Sequence, residues 1–408
     1  MSRIRQVEVI PMAFPDPPLL NSWGVHEPLA LRILVILTLE DGTIGLGETS
    51  GEQPMLGRIE QAAPRIIGGR VDRPAELERA VLEGLDARTS LVERRKVWSP
   101  FEVAALDARG HLEGVSVSDL LGGAVRDRVD FAGYLFFKWA GHPGQEDDSW
   151  GAADDGAGLV AQARLMQEHY GFGSFKLKAG VHPPEREIAA MRALAEAFPS
   201  APLRIDPNGA WRLDTALEAA GQLASLVEYL EDPVLAIEDM AEVRRVSGVP
   251  LATNMLVVSP ETLKPAVDAH AVDVVLADHH YWGGLAATTA LGELCAAEGI
   301  GLSMHSNSHL GVSLAAMVHA AAATPALTHT CDTHYPWNAE YDIVVPGSLG
   351  FEDGAVGVPT GPGLGVELRR DAVDALHRAY VSSGRVVRDD TAYARSVDPG
   401  YDPTLPRF

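Results

Sequence analysis

The sequence predicts a parallel (β/α)8 barrel behind an N-terminal α+β capping domain. Eight short apolar runs, at 131–137, 174–178, 203–206, 228–231, 250–254, 273–277, 300–304 and 326–331, alternate with amphipathic stretches such as 184–198, 213–226, 260–269 and 284–298. Polar residues close successive runs: Lys178, Asp206, Glu231, Asn254, Asp278 and His305 are separated by 28, 25, 23, 24 and 27 residues, each step about one strand plus its return helix. Before residue 128 this rhythm is absent. A doubly wound open sheet is the competing architecture, but no G-x-G-x-x-G or G-x-x-x-x-G-K-[ST] turn is present to carry its phosphate loop.

The elements follow in order. Met1-Ser2-Arg3-Ile4-Arg5 leads straight into an alternating strand, with no apolar signal region. Runs at 4–11, 30–40 and 43–50 read as strands, the last two forming a hairpin at Asp41-Gly42. Helical patterns over 58–84, 89–96 and 99–121 end near Gly122-Gly123. These boundaries give a capping (lid) domain over 1–128, a barrel over 129–338, and a segment over 339–408 expected to pack back on the capping domain. The Gly- and acid-rich stretch 139–158 is expected to be a mobile loop over the barrel mouth.

Composition narrows the partners. A formal net charge of −23 over 408 residues excludes nucleic acid and anionic membrane, which both need basic patches. No apolar run approaches the ~18 residues of a membrane-spanning helix. Cys295 and Cys331 are too few for a disulfide framework and lack zinc-ligand spacing, so both read as small buried hydrophobes in a reducing cytoplasm. A small molecule is the expected partner, and an anionic one needs local cations. Barrels of this kind often form homo-oligomers, but no interface can be read from the residues.

The chemistry lies where the strands end. Lys176 and Lys178 alternate with Leu177, so both point into the barrel. Mutual repulsion is expected to lower the pKa of at least one, leaving it able to accept a proton. Asp206, Glu231 and Asn254 bring three oxygen ligands from adjacent strand ends, a set suited to Mg²⁺. Taken singly, each could be a cap or a turn residue, and Asp206-Pro207-Asn208-Gly209 is good turn chemistry; the joint spacing favours the metal. Asp278 and His305 then form a carboxylate–imidazole base, with Ser306 and Asn307 as small polar donors beside it. His279 and His280 are weaker candidates.

At these residues the chain resembles the enolase superfamily, and more closely its glucarate dehydratase group. The stretches that carry the resemblance are Gly133-Tyr134-Leu135-Phe136-Phe137, Phe175-Lys176-Leu177-Lys178, Asp206-Pro207-Asn208-Gly209-Ala210-Trp211, Glu231-Asp232-Pro233, Ala252-Thr253-Asn254-Met255, His305-Ser306-Asn307 and Asp332-Thr333-His334. The resemblance implies an enolase-type modified barrel and Mg²⁺ held by Asp206, Glu231 and Asn254. It makes Lys178 and His305 the two bases, with Asp278 pairing the histidine, and gives Lys176 and Asn208 the stabilisation of the enediolate. It also implies substrate contacts from His26, Ser99, Tyr134, Phe136, Ser306, Asn307, His334 and Arg388. Ser99 stands where the family favours threonine, and the loop after Glu231-Asp232-Pro233 is trimmed.

The function this implies is a Mg²⁺-dependent lyase of the dehydratase class acting on a dicarboxylic sugar acid, with D-glucarate giving 5-keto-4-deoxyglucarate. Two opposed bases also permit epimerisation or racemisation, and the same site could serve another aldarate or an aldonate. A non-catalytic paralogue and a nucleotide-dependent oxidoreductase are the readings from other classes. Every candidate catalytic residue is present, which opposes the first, and the missing phosphate loop opposes the second.

Overall fold

The computed structural model describes residues 2–408. Strand β1 (Ile4–Pro15) passes through the short hairpin β2 (Leu20–Asn21) and β3 (Gly24–Val25) into β4 (Leu29–Leu39), which turns into β5 (Ile44–Ser50). These form an antiparallel sheet in the order β1-β4-β5. Side chains alternate along β4 and go to different cores. Ile33, Val35 and Leu37 pack with Leu56, Ile59, Val81 and Phe101 of the helices α1 (Met55–Ala62), α2 (Pro74–Leu82) and α3 (Leu91–Glu113). Leu34 and Ile36 join the barrel's apolar cluster instead.

One helix was expected to be two. The patterns over 89–96 and 99–121 merge in α3, which opens on a Ser90/Glu93 capping box and continues through Pro100; only the short α4 (Val117–Leu120) stands apart. Burial along Val97–Ala105 outweighs the roughly 3 kcal/mol that an internal proline costs. Glycines at 45 and 47 let this helix lie directly on β5: a Cβ there would stand 2.0 Å and 1.9 Å from the carbonyl oxygens of Ala104 and Pro100.

The barrel follows as β6 (Arg128–Phe136), α5 (Gly156–Tyr170), β7 (Phe175–Lys178), α6 (Pro184–Ala197), β8 (Leu203–Asp206), α7 (Leu213–Leu223) and β9 (Tyr229–Glu231). It continues through α8 (Ile237–Ser247), β10 (Leu251–Thr253), α9 (Pro260–Asp268), β11 (Val274–Ala277), α10 (His279–Trp282), α11 (Leu285–Glu298), β12 (Gly301–Met304), α12 (Gly311–Ala322) and β13 (Cys331–Thr333). Neighbours pair in parallel from β6 to β12, and β13 closes the circuit on β6 with Asp332 opposite Ala132. Architecture and order are those of a capped parallel α/β barrel.

The eighth strand differs from the expected run at 326–331. Residues 324–330 approach β12 through single contacts, from the Thr328 and His329 N–H groups to the Leu302 carbonyl and from Ser303 Oγ to the Thr330 carbonyl. The ladder with β6 begins only at Cys331, which turns Asp332 toward Lys176 of β7. Apolar residues near Pro325 marked the approach and not the strand.

The stretch after β6 was expected to be a mobile loop, and it is stapled. Buried Lys138 donates to the carbonyls of Trp139 (2.6 Å) and Gly151 (2.7 Å) and to Asp148 (2.9 Å), while Trp150 packs on Trp337. After β13 come α13 (Tyr335–Asn338), the hairpin β14 (Phe351–Glu352) and β15 (Ala355–Gly357), α14 (Arg370–Ser383) and α15 (Asp390–Val397). His377 of α14 meets the Pro11 carbonyl of β1 at 2.8 Å, and Val386 accepts from the Gln53 N–H. Cys295 and Cys331 are free and buried. Among the described residues, no helix is long and apolar enough to cross a membrane.

Candidate active site

Six polar side chains stand at consecutive strand ends. Lys178, Asp206 and Glu231 are the last residues of β7, β8 and β9; Asn254, Asp278 and His305 each follow directly on β10, β11 and β12. The spacing in the sequence therefore becomes one ring at the C-terminal face of the barrel, where barrel enzymes carry their chemistry.

Asp206, Glu231 and Asn254 form the oxygen-rich corner. Oε1 of Glu231 and Oδ1 of Asn254 are buried with no hydrogen-bond partner among the described residues, while Glu231 Oε2 meets Lys176 Nζ at 2.5 Å. Burial, with Asp206, Asp332 and Asp232 close by, pushes the Glu231 carboxyl well above the usual range despite Lys176 beside it. Burial first, then the negative Asp206, pushes Asp232 up to about 7. Two carboxylates and an amide oxygen, with donor atoms left over and too little positive charge around them, fit a hard divalent cation such as Mg²⁺. The local backbone supports this corner. Asn208 adopts a left-handed φ of 57°, and its N–H donates to Asp206 Oδ1 at 2.9 Å.

The expected depression of a lysine pKa is corrected. Lys178 Nζ lies 2.6 Å from Asp206 Oδ2, and Lys176 Nζ lies 2.7 Å from Asp332 and 2.5 Å from Glu231. Burial disfavours both ammonium groups, but Asp332 and Glu231 hold Lys176 well above its ordinary value, and Asp206 raises Lys178 likewise. Attraction to three carboxylates exceeds the repulsion between the two lysines. The two also differ in depth: Lys178 lines the cavity, and Lys176 is fully buried, with Nζ 4.9 Å from the centre of the Tyr134 ring.

Asp278 accepts from both sides. Its Oδ2 lies 3.1 Å from His305 Nδ1 and 3.4 Å from Asn307 Nδ2, and its Oδ1 lies 2.8 Å from His280 Nδ1. Burial opposes this charge, yet His280 and His305 bring the carboxyl well below the usual range. His305 is thus oriented through Nδ1, which leaves Nε2 for the cavity.

The cavity has a volume of about 500 Å³ and lies between the barrel mouth and the N-terminal strands. Lys178, Asn208, Asn254, His305, Ser306 and Asn307 line it from the barrel, with Tyr134 and Phe136 of β6 and His334 after β13; His26 and Arg388 line its far side from the cap and the C-terminal segment. Asp206, Glu231, Asp278 and Lys176 are buried around it and do not line it. Ser99 is not brought there: it is fully buried within α3 and its Oγ has no partner among the described residues.

Asp16 ties the far side together. Its Oδ2 accepts from His26 Nδ1 at 3.1 Å and from Arg388 Nη1 at 2.8 Å, while Asp390 grips the rest of the guanidinium at 2.7 Å and 2.9 Å. Burial pushes the neighbouring His334 down to about 3, so this ring is neutral. Asp16, Asp390, Asp332, Trp23, Tyr281 and the buried Arg32–Glu48 pair were not picked out from the sequence as site residues. Asp332, 27 residues after His305, continues the strand-end series and could have been found by it; Asp16, Trp23 and Asp390 come from capping loops and the C-terminal segment, which no spacing marks.

Residues 158–372 match the family described as enolase C-terminal domain-like. This match spans more than half of the chain, and it settles the family. The chain belongs to the enolase superfamily. Within the superfamily it is 47% identical to a protein named "Probable glucarate dehydratase" from Streptomyces coelicolor, over 99% of both chains. A solved enolase from Thermobispora bispora, complexed with magnesium and formate, is 50% identical and superposes with a TM-score of 0.98 over all of both chains. Another, from Mycobacterium smegmatis and complexed with tartrate, is 52% identical at a TM-score of 0.97, covering 100% of this chain and 99% of that one. This enolase-superfamily member is an enzyme, a lyase of the dehydratase type, and these relationships support an acid-sugar dehydratase.

Proposed function

We propose that the chain is a Mg²⁺-dependent dehydratase of dicarboxylic sugar acids, with D-glucarate converted to 5-keto-4-deoxyglucarate. One observation carries this reading: Lys178 and His305 line a single cavity from β7 and β12, beside the unpartnered Oδ1 of Asn254 and next to the buried Glu231 carboxylate, whose Oε1 has no partner among the described residues. The relative named as a probable glucarate dehydratase supports the substrate, and the magnesium and tartrate in the related crystal structures support a cation and a diacid.

Asp206, Glu231 and Asn254 would hold the cation. When bound, it supplies positive charge to the substrate carboxylate next to the carbon that loses its proton. Lys178 serves one face of that carbon and His305 the other. Lys178 accepts a proton only as the free amine, so its 2.6 Å contact with Asp206, which favours the ammonium, has to loosen in the loaded site. The enediolate left by proton removal gains from Lys176 and Asn208. The β-hydroxyl then departs as water with a proton donated by His305, and the enol takes up a proton at carbon to become the keto acid. At the far end, His26, Arg388 and His334 meet the second carboxylate, while Tyr134, Phe136, Ser306 and Asn307 shape the space for the hydroxyls.

In this reading residues 1–128 cap the site, 129–338 form the barrel and 339–408 return to the cap carrying Arg388. A screen of hexaric and aldonic acids with Mg²⁺, scored for 2-keto product, tests the function. Glucarate should be turned over, chelation should abolish turnover and Mg²⁺ should restore it. Activity after exhaustive chelation would refute the metal assignment, and turnover of aldonates alone would refute the diacid.

A second reading is favoured by the same pair of bases. Proton return to the opposite face gives epimerisation without loss of water, so exchange at carbon with no keto product would identify an epimerase.

A further inference from the structure

The Asp278 carboxylate serves two imidazoles, and only His305 reaches the cavity. His280 is buried on α10 between two acceptors. Its Nδ1 lies 2.8 Å from Asp278 Oδ1, and its Nε2 lies 3.1 Å from the backbone carbonyl oxygen of Glu48 on β5. Neither partner can donate a proton. A neutral ring carries one N–H and would leave the other nitrogen's lone pair facing an oxygen lone pair in a buried site. The rival arrangement uses Ser313, whose Oγ is 3.3 Å from Nε2 and could donate to a neutral ring.

The distances favour the doubly protonated ring, because both acceptors stand closer to His280 than Ser313 Oγ does. Arg32 of β4 and the Glu48 side chain form a buried pair at 2.8 Å, and Glu48 also accepts the N–H groups of Leu310 and Ser313 at the start of α12. Arg32 Nη2 also donates to Ser313 Oγ at 3.2 Å. His279, its ring tilted by 35° against His280 at 3.9 Å, and His309 are both held well below the ordinary histidine range, mainly by burial, and are neutral. Asp278 is the carboxylate in direct contact with the His280 ring.

We propose that His280 is a positioning residue for the reaction, an imidazolium clamped between Asp278 and the Glu48 carbonyl, through which capping strand β5 holds the carboxylate that orients His305. The assignment rests on the reading of His305 as a base. It makes the cap part of the proton-transfer machinery without touching substrate, because Asp278 Oδ1 is committed to His280 and only Oδ2 is left for His305 and Asn307.

Nitrogen-15 NMR of the full-length protein with labelled histidine rings tests the charge state, with the His280 signals assigned by their loss in His280→Gln. Both ring nitrogens should carry protons from pH 6 to pH 8; a single protonated nitrogen over that range overturns the proposal. α-Proton exchange in heavy water tests the role. His280→Gln removes the positive charge behind Asp278, which stabilises protonated His305, so the acidic limb of exchange at the His305 face should move up by about one pH unit. The Lys178 face should be spared. His280→Asn, whose amide nitrogen overlays Nδ1, should restore the plateau rate while leaving the limb displaced. Equal losses at both faces would mean a merely structural role and overturn the proposal. If His305→Asn leaves exchange at both faces intact, the base assignment fails, while the NMR result still decides the state of His280. Should the His280 variants not fold, the wild-type ring signals are assigned instead by through-bond correlation to the backbone, and their protonation state decides alone.

Discussion

Asp232 Oδ2 accepts the backbone N–H of Asn254 at 2.9 Å and that of Met255 at 3.1 Å, so the residue after one proposed metal ligand fixes the position of the next. Its other oxygen accepts from Thr253 Oγ1 at 2.5 Å. Three donors from the end of β10 converge on one buried carboxylate at a left-handed backbone position, φ 38°. Asp232→Asn keeps that backbone and one oxygen for the two N–H groups, but removes the charge and turns an NH2 toward Thr253 Oγ1. Mg²⁺ affinity should fall about ten- to a hundredfold, the usual cost of losing an outer partner of a ligand. Titration calorimetry with Mg²⁺ checks this, and unchanged affinity would separate Asp232 from the metal corner.

Lys178 and His305 should divide the work by face. Lys178→Ala should abolish exchange at one face of the α-carbon and spare the other, and His305→Asn should do the reverse. The loss at the affected face should be about a hundredfold or more, as for removal of a general base. Equal loss from both faces with metal still bound would show that they do not act as separate bases.

Arg388 already donates to Asp16 and Asp390, and its remaining N–H groups are what it can offer a ligand. Arg388→Lys keeps the charge and loses the planar fork. A charge-assisted hydrogen bond contributes roughly 1.5–3 kcal/mol, so kcat/KM for a diacid should fall about ten- to a hundredfold. A monoacid sugar lacking the distal carboxylate should lose much less. Equal effects on both substrates would mean that Arg388 does not read the distal end.

Glu102 provides a pH test of stability remote from the reacting groups. It is buried on α3 and accepts the first N–H groups of α11 at Leu285 (2.9 Å) and Ala286 (3.0 Å). Burial pushes its carboxyl up to about 7. The folded state therefore holds a proton that the unfolded chain releases, and stability from this group falls as pH rises from about 4.5 to about 7. Glu102→Gln cannot ionise, so its stability relative to wild type should improve across that window by about 2–3 kcal/mol at most. Melting temperatures at pH 4.5 and pH 7.5 measure it, and a constant difference would contradict the shift.

Legibility in the sequence followed locality. Lys178, Asp206, Glu231, Asn254, Asp278 and His305 could be placed because a strand end is a local event and the βα repeat spaces such events regularly. The lysine electrostatics were misread because Asp332 comes from β13, 156 residues away from Lys176. The length of α3 was misread because what carries it past Pro100 is packing on β5, through the close approach at Gly45 and Gly47. Asp16, Glu48 and Asp390 stayed silent for another reason: their partners His26, Arg32 and Arg388 lie only 10, 16 and 2 residues away, but no periodicity marks a carboxylate as paired, and the contact that joins cap to C-terminal segment, Arg388 to Asp16, spans 372 residues.

The most direct test of the central claim is the product formed from D-glucarate with Mg²⁺ in heavy water. Proton abstraction followed by loss of the β-hydroxyl predicts 5-keto-4-deoxyglucarate carrying one deuterium at the new methylene carbon, with none formed after chelation. Deuterium exchange or epimer formation without any keto acid would contradict the dehydratase and leave an epimerase built on the same two bases.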